Sequence, residues 1–502
     1  MARKSGIGAL LAFDLAGEGE TPLFQQLYRQ LRQAVLAGRV RPGARLPATR
    51  FLADELGISR NTVLTAYDQL ASEGFLELRH RSGVFVAQDL PIAAPAPQPA
   101  PPTAPRSPRL GLRARDAAGV GPIGPIGRPD GRRIGGRWPG CFATGVPDVS
   151  QFPFELWARL LARSWRRPQA RLPMGGDAGG HPDLRAAIAS YLGEARGIQC
   201  EPDHVLVVSG IRQALDLTCR LLLDPGDQVW MENPGYPGIR AILAANGAEV
   251  AGIPVDEEGM DVAAGRAAAG KARLVCVAPS HQFPLGVALS LQRRLLLLDW
   301  ARDAGAWVLE DDYDSEYRYA GRPLAALKSL DADNRVIYVG TLSKLLFPSL
   351  RLGYLVAPPQ LSDAFRRLRT ALDDQPSMVA QPALAELFRS GHLAGHVRRM
   401  RQVYALRQRA FLRAARTHLK DLVKFRAEET GLHLVGRVGP RLQGRRDKAL
   451  AAAAAREGIV LSALSEYDMF GDGPEGLMFG YAAAPEHLVA PALQRLAEIW
   501  TK

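Results

Sequence analysis

Ala306-Trp307-Val308-Leu309-Glu310-Asp311-Asp312-Tyr313-Asp314 is an apolar run that turns acidic at its end. Lys344, closing the stretch Thr341-Leu342-Ser343-Lys344, follows 31 residues after Tyr313 and stands 7 before Arg351. A lysine amine that condenses with an aldehyde must sit where its pKa is lowered and its approach is fixed. Small hydroxyl residues just before it can hydrogen-bond a phosphate, and an arginine just after it can neutralise that phosphate's charge. A carboxylate at the end of a buried strand, here Asp311, can keep a pyridinium nitrogen protonated and so make the ring an electron sink. A Ser-Lys pair alone is ordinarily a surface lysine. Carboxylate, Tyr, Ser-Lys and Arg in this order point instead to a pyridoxal phosphate site in an α/β domain.

Outward from this stretch, short apolar strands alternate with helical segments: His204 to Ser209, Gln228 to Glu232, Leu274 to Ala278, Trp307 to Asp311, Val336 to Val339 and Tyr354 to Ala357. Such alternation predicts a mostly parallel sheet covered by helices on both faces. The last hundred or so residues, with Ala-rich helices and strands near Gly431 to Leu434 and Met478 to Tyr481, predict a smaller α+β subdomain.

The chain has 502 residues, more than one core usually serves. Its formal charge of +12 suggests an acidic partner such as nucleic acid. The excess is uneven: residues 1–89 hold eleven Lys and Arg against nine Asp and Glu, and residues 90–137 hold eight against two. Residues 90–137 are rich in Pro and Ala, then in Gly and Arg, and read as a semi-rigid basic tether between a small domain, 1–89, and a large one, 138–502. Cys141, Cys200, Cys219 and Cys276 show neither metal-ligand spacing nor a disulfide framework, so a reduced, cytoplasmic protein without a metal site is expected. No signal peptide is evident and no apolar run approaches a membrane-spanning length.

In the small domain, Leu23, Leu27, Leu31, Val35 and Leu36 recur at helical spacing, a second helix runs from about Ala48 to Leu56, and a third begins at Ser59 after a turn at Gly57. Two short strands follow, Phe75 to Leu78 and Val84 to Val86, which completes a winged helix-turn-helix. Ser59 is a candidate N-cap; Ser59, Arg60, Asn61 and Thr62 at the start of the recognition helix, with Arg50 in the second helix, are candidates to meet DNA. Leu64, Tyr67 and Leu70 read as that helix's buried face. Arg79, His80 and Arg81 flank Ser82-Gly83 and offer a basic wing tip.

Residues 21–87 resemble the winged helix of the GntR family, whose "LP..R.LA.ELG.SR.TV..AY..L...G" pattern is nearly complete here. Relatives usually have Gly where Arg81 stands. Residues 138–500 are similar to fold-type I aminotransferases, through Gly145-Val146-Pro147-Asp148, Ser209 to Leu217, Ser280 to Gly286 and Gly321-Arg322-Pro323-Leu324. The whole chain resembles the MocR subfamily, in which the two are fused, and within it the regulators of vitamin B6 synthesis.

The resemblance implies that Lys344 carries a Schiff base, Asp311 pairs with the pyridine nitrogen and Tyr313 hydrogen-bonds the phenolic oxygen. Ser343 and Arg351 would hold the phosphate together with the backbone N–H groups of Ile211 and Arg212 at a helix N-terminus. Tyr236 would pack over the ring and His281 would lie near it. Three positions depart from active aminotransferases: Phe283 replaces an Asn, Met478 stands where an Arg would clamp a substrate carboxylate, and Gly175, beside Met174, stands where a partner subunit's phosphate-binding Tyr would fall. The expected function is a pyridoxal phosphate-dependent, homodimeric transcriptional regulator that binds double-stranded operator DNA and senses pyridoxal phosphate, an amine or an amino acid. A working aminotransferase with a DNA-binding appendage is the second reading, and a cofactor-free dimerisation scaffold the third.

Overall fold

The computed structural model describes residues 21–79, 82–90, 111–120, 141–166, 175–320 and 324–501, with Phe13 and Leu15. The chain divides into two units, Met1–Pro108 and Arg109–Lys502.

The first unit contains helices α1 (Leu23–Leu36), α2 (Thr49–Leu56) and α3 (Arg60–Ser72) and the strands β1 (Leu76–Arg79) and β2 (Gly83–Val86). Leu27, Leu31 and Val35 of α1 pack with Leu52 of α2 and with Val63, Ala66, Tyr67 and Leu70 of α3. Leu64, expected in this stripe, is instead 41% exposed. The apolar stripe of α3 passes through Val63, Ala66, Tyr67 and Leu70, the i, i+3, i+4, i+7 face, and Leu64 falls one position off it. Gly57 closes α2 at φ 64°, a left-handed conformation that glycine adopts without strain. Ser59 caps α3, its hydroxyl accepting from the Thr62 amide at 3.1 Å. Ser59→Ala should therefore cost about 1 kcal/mol of this unit's stability, read from its urea midpoint. The β1–β2 hairpin is antiparallel, with Leu76 opposite Val86 and Arg79 opposite Gly83. His80 and Arg81 lie outside the described residues.

In the second unit, the stretch expected to be a tether carries a helix, α4 (Leu112–Gly119). It packs against α8 (Pro237–Asn246), so the unit begins well before residue 138. Composition could not reveal this, because the partner surface lies more than a hundred residues away.

Helices α5 (Phe154–Arg166), α6 (Pro182–Arg196) and α7 (Ile211–Leu222) belong to a unit built on an eight-stranded sheet, which α6 and α7 contact directly. Its strands are β3 (Val205–Val208), β4 (Gln228–Asn233), β5 (Glu249–Asp256), β6 (Gly259–Met260), β7 (Leu274–Val277), β8 (Trp307–Asp312), β9 (Val336–Thr341) and β10 (Gly353–Val356). The order is β3-β10-β9-β8-β7-β4-β5-β6, parallel from β9 through β5, with β10 and β6 antiparallel to their neighbours. Strands β5 and β6 were not expected. Gly252 and Pro254 weaken the strand pattern of β5, whose outer side is paired only at Val255 and Asp256.

One sheet face packs Leu206, Val208, Leu309 and Val339 against Leu215 of α7 and Leu243 of α8. The other buries Val275, Val308 and Val336 with Leu297 and Trp300. Coverage on both faces explains the continuous apolar runs of these strands. A second sheet, with β11 (Val423–Phe425), β12 (His433–Val438), β13 (Ser462–Ala463) and β14 (Leu477–Gly480) in the order β11-β12-β14-β13, forms the smaller subdomain. Among the described residues no helix is long and apolar enough to cross a membrane.

Candidate functional site

Strand β3 runs in the same direction as β8 and β9, because β10 is antiparallel to both of its neighbours. Val208, Asp312 and Thr341 therefore end at one edge, the carboxyl edge at which open α/β sheets bind ligands. At that edge Gly210 (φ 120°) turns the chain from β3 into α7. The Ala214 amide donates to the Gly210 carbonyl at 3.1 Å, which puts Ile211 and Arg212 in the first turn of α7, the end from which helix amides point outward. A Cβ on Gly353 would stand 2.7 Å from the Gly340 oxygen, 3.3 Å from Gly210 Cα and 3.5 Å from Thr341 Cα. Glycine at 353 thus lets β10 bring the helix start and the Thr341–Lys344 loop together. Arg351, two residues earlier, is exposed and left-handed at φ 50°. The Ser343 amide donates to Thr341 Oγ1 at 3.2 Å. The amino end of α7, the Thr341–Lys344 loop and the segment of Arg351 thus bring to one edge the residue types that can hold a phosphate.

Lys344 follows β9 on a loop anchored by the buried Leu342, Leu345 and Leu346. Its backbone is pinned by Tyr317, whose hydroxyl donates to the Lys344 and Leu345 carbonyls at 3.2 Å each. The Lys344 ammonium donates to the Gly145 carbonyl. Burial lowers the Lys344 pKa, opposed by the carboxylates of Asp314 and Asp311. Asp311 lies on β8 opposite Val339 of β9. Burial raises its pKa to about 7, reinforced by Asp312 and Asp314 and opposed by Lys344. A buried carboxylate poised this way matches a cationic ring nitrogen, whose charge would restore its ionised form. Lys344, Asp311 and the amino end of α7 are chemically suited to pyridoxal phosphate.

Tyr313 and His281 are joined: the Tyr313 hydroxyl lies 3.0 Å from His281 Nδ1, which is also 2.9 Å from Asp314 Oδ2. The carboxylate of Asp314, in the acidic run but not singled out from it, thus orients the imidazole that touches Tyr313. The Arg212 guanidinium donates to the Tyr236 hydroxyl at 2.8 Å. Tyr236 in turn meets Phe283 edge-on, with ring centroids 5.9 Å apart. Phe283 also contacts Tyr313, His433 and Tyr467, so a phenyl ring with no hydrogen-bond donor of its own, held among aromatic neighbours, fills the place of the Asn. Met478 is wholly buried in β14 among Leu464, Tyr467 and Phe283. Gly175 lies beside Gln375, and Met174 is outside the described residues, as are Gly321, Arg322 and Pro323.

In the winged helix, Arg50, Arg60 and Asn61 are exposed. The Ser59 and Thr62 hydroxyls are bonded to each other at 2.8 Å. Arg79 lies 4.7 Å over the Phe85 ring and pairs with Glu77 at 3.1 Å. Behind the cofactor-type site, on the opposite side of β8, Asp312 pairs with Arg196 at 2.7 Å and accepts from the Tyr338 hydroxyl at 2.7 Å.

The family described as aminotransferase class I and II matches residues 145–496, and that described as bacterial regulatory proteins, gntR family, matches residues 23–86. The chain is 41% identical to the probable rhizopine catabolism regulatory protein MocR of Rhizobium meliloti, over 93% of this chain and 91% of that protein. It is 31% identical to the pyridoxine biosynthesis transcriptional regulator PdxR of Corynebacterium glutamicum, over 95% and 96%. Among solved structures, kynurenine aminotransferase of Pyrococcus horikoshii is similar at a TM-score of 0.65 and 27% identity, covering 72% of this chain and 90% of that one.

Proposed function

Because the chain belongs to the MocR type of GntR-family transcriptional regulators, a winged helix-turn-helix joined to an aminotransferase class I and II domain, we propose that it binds operator DNA through residues 21–87 and a pyridoxal phosphate-linked effector through its second unit. The observation that carries the effector half is the convergence of Lys344, Asp311 and the amino end of α7 at one sheet edge. In this reading the Ile211 and Arg212 amides, Ser343 and Arg351 hold the phosphate, Asp311 faces the ring nitrogen, and Tyr313, oriented by His281 and Asp314, faces the phenolic oxygen. Tyr236 covers the ring. Bound there, pyridoxal phosphate would supply an aldehyde able to capture amines, so the effector is the cofactor itself, an amine or an amino acid. The functional unit is a homodimer that presents two winged helices to paired half-sites in the cytoplasm.

Aminotransferase turnover fits the site less well. Met478 gives a substrate carboxylate no bidentate partner, and Phe283 gives the ring oxygen no donor. Selecting duplexes from a random-sequence pool with the full-length protein, with and without pyridoxal phosphate and candidate amines, tests the proposal. A recovered consensus whose affinity shifts with the ligands supports it, whereas indifference to every ligand removes the effector role. Arg60→Ala should weaken binding to the consensus by about 1–3 kcal/mol at fixed salt, measured by fluorescence anisotropy.

A further inference from the structure

Leu64 has no place in the core of the winged helix, which Val63, Ala66, Tyr67 and Leu70 complete from α3. What singles it out is its position: one turn after Arg60, one turn before Asp68, and next to Thr65 on the exposed side of the recognition helix. The neighbouring hydroxyls are already committed. Ser59 and Thr62 bond each other at 2.8 Å, and the Thr65 hydroxyl donates to the Asn61 carbonyl at 2.9 Å. Arg60, of whose five donors Nε–H is given to Thr49 Oγ1 at 3.4 Å, and Asn61, Leu64 and Asp68 are therefore the side chains this face offers to base edges.

Leucine offers no donor or acceptor, and thymine's 5-methyl is the one apolar group a base pair presents in the major groove. We propose that Leu64 reads the 5-methyl group of a thymine within each half-site. The inference rests on the DNA-binding reading above and adds to it a base that hydrogen bonding alone would not select. Asn61, three residues before Leu64, is suited to an adenine on the same face.

The test is a two-by-two cycle on the consensus duplex, with wild-type and Leu64→Ala proteins and with each thymine replaced singly by deoxyuridine, which removes only the methyl group. Leu64 is exposed, so the variant should keep its fold, which circular dichroism verifies. At one thymine per half-site the wild type should bind the deoxyuridine duplex about fourfold more weakly, the worth of one methyl group removed from water. Leu64→Ala should bind both duplexes equally. Wild-type indifference to every deoxyuridine replacement, or an undiminished preference in Leu64→Ala, overturns the inference while leaving DNA binding intact. Recovery of no duplex at all overturns the DNA-binding reading as well.

Discussion

Asp311→Ala should lower the affinity for pyridoxal phosphate by about two to three and a half orders of magnitude. Removing one member of a buried charge pair costs about 3–5 kcal/mol, because the remaining charge is left without compensation. The carboxylate is buried, with its pKa raised by burial to about 7. Equilibrium titration followed by absorbance measures the loss directly. Asp311 also makes a pH signature. Its folded pKa lies above that of an unfolded aspartate, so the cofactor-free folded state binds more protons between about pH 4 and pH 7. Its contribution therefore favours folding at acid pH and is lost as the pH rises through that window. Asp311→Asn should flatten this part of the curve, and a bound ring cation should reverse it, both visible as the pH dependence of the thermal midpoint.

Arg196→Ala should destabilise the second unit by about 3–5 kcal/mol, as the shift of its denaturant midpoint will show. Arg196 and Asp312 pair at 2.7 Å with side chains only 7% and 2% exposed. Arg196 also donates to Ser280 and to the Leu324 carbonyl, so its removal strands several acceptors along with a buried carboxylate. Neutralising that carboxylate should return part of the loss, so the double variant Arg196→Ala, Asp312→Asn should be more stable than Arg196→Ala alone.

The strands ending in Asp311 and leading to Lys344 were legible because they are local: an apolar run, a change of charge, a small-residue loop. The same holds for Ser59 as cap and for Gly57 as turn. What could not be read depends on which segments the sheet order brings together. Arg212 reaches Tyr236 and His281 reaches Asp314 only because separate strands end at one edge. No periodicity encodes those meetings. Helix α4 was hidden because its Pro-, Gly- and Arg-rich surroundings set the composition of the whole segment, while its stability comes from α8. Leu64 was misplaced because a three-residue spacing from Tyr67 also fits a stripe that in fact runs through Val63.

The most direct test of the central claim is the visible absorption spectrum of the full-length protein with pyridoxal phosphate, beside that of Lys344→Ala, followed by borohydride reduction and peptide mapping. A band should be present in the wild type and absent from the variant, with the reduced adduct on Lys344. A wild type without a band, or an adduct mapped to another lysine, would contradict it.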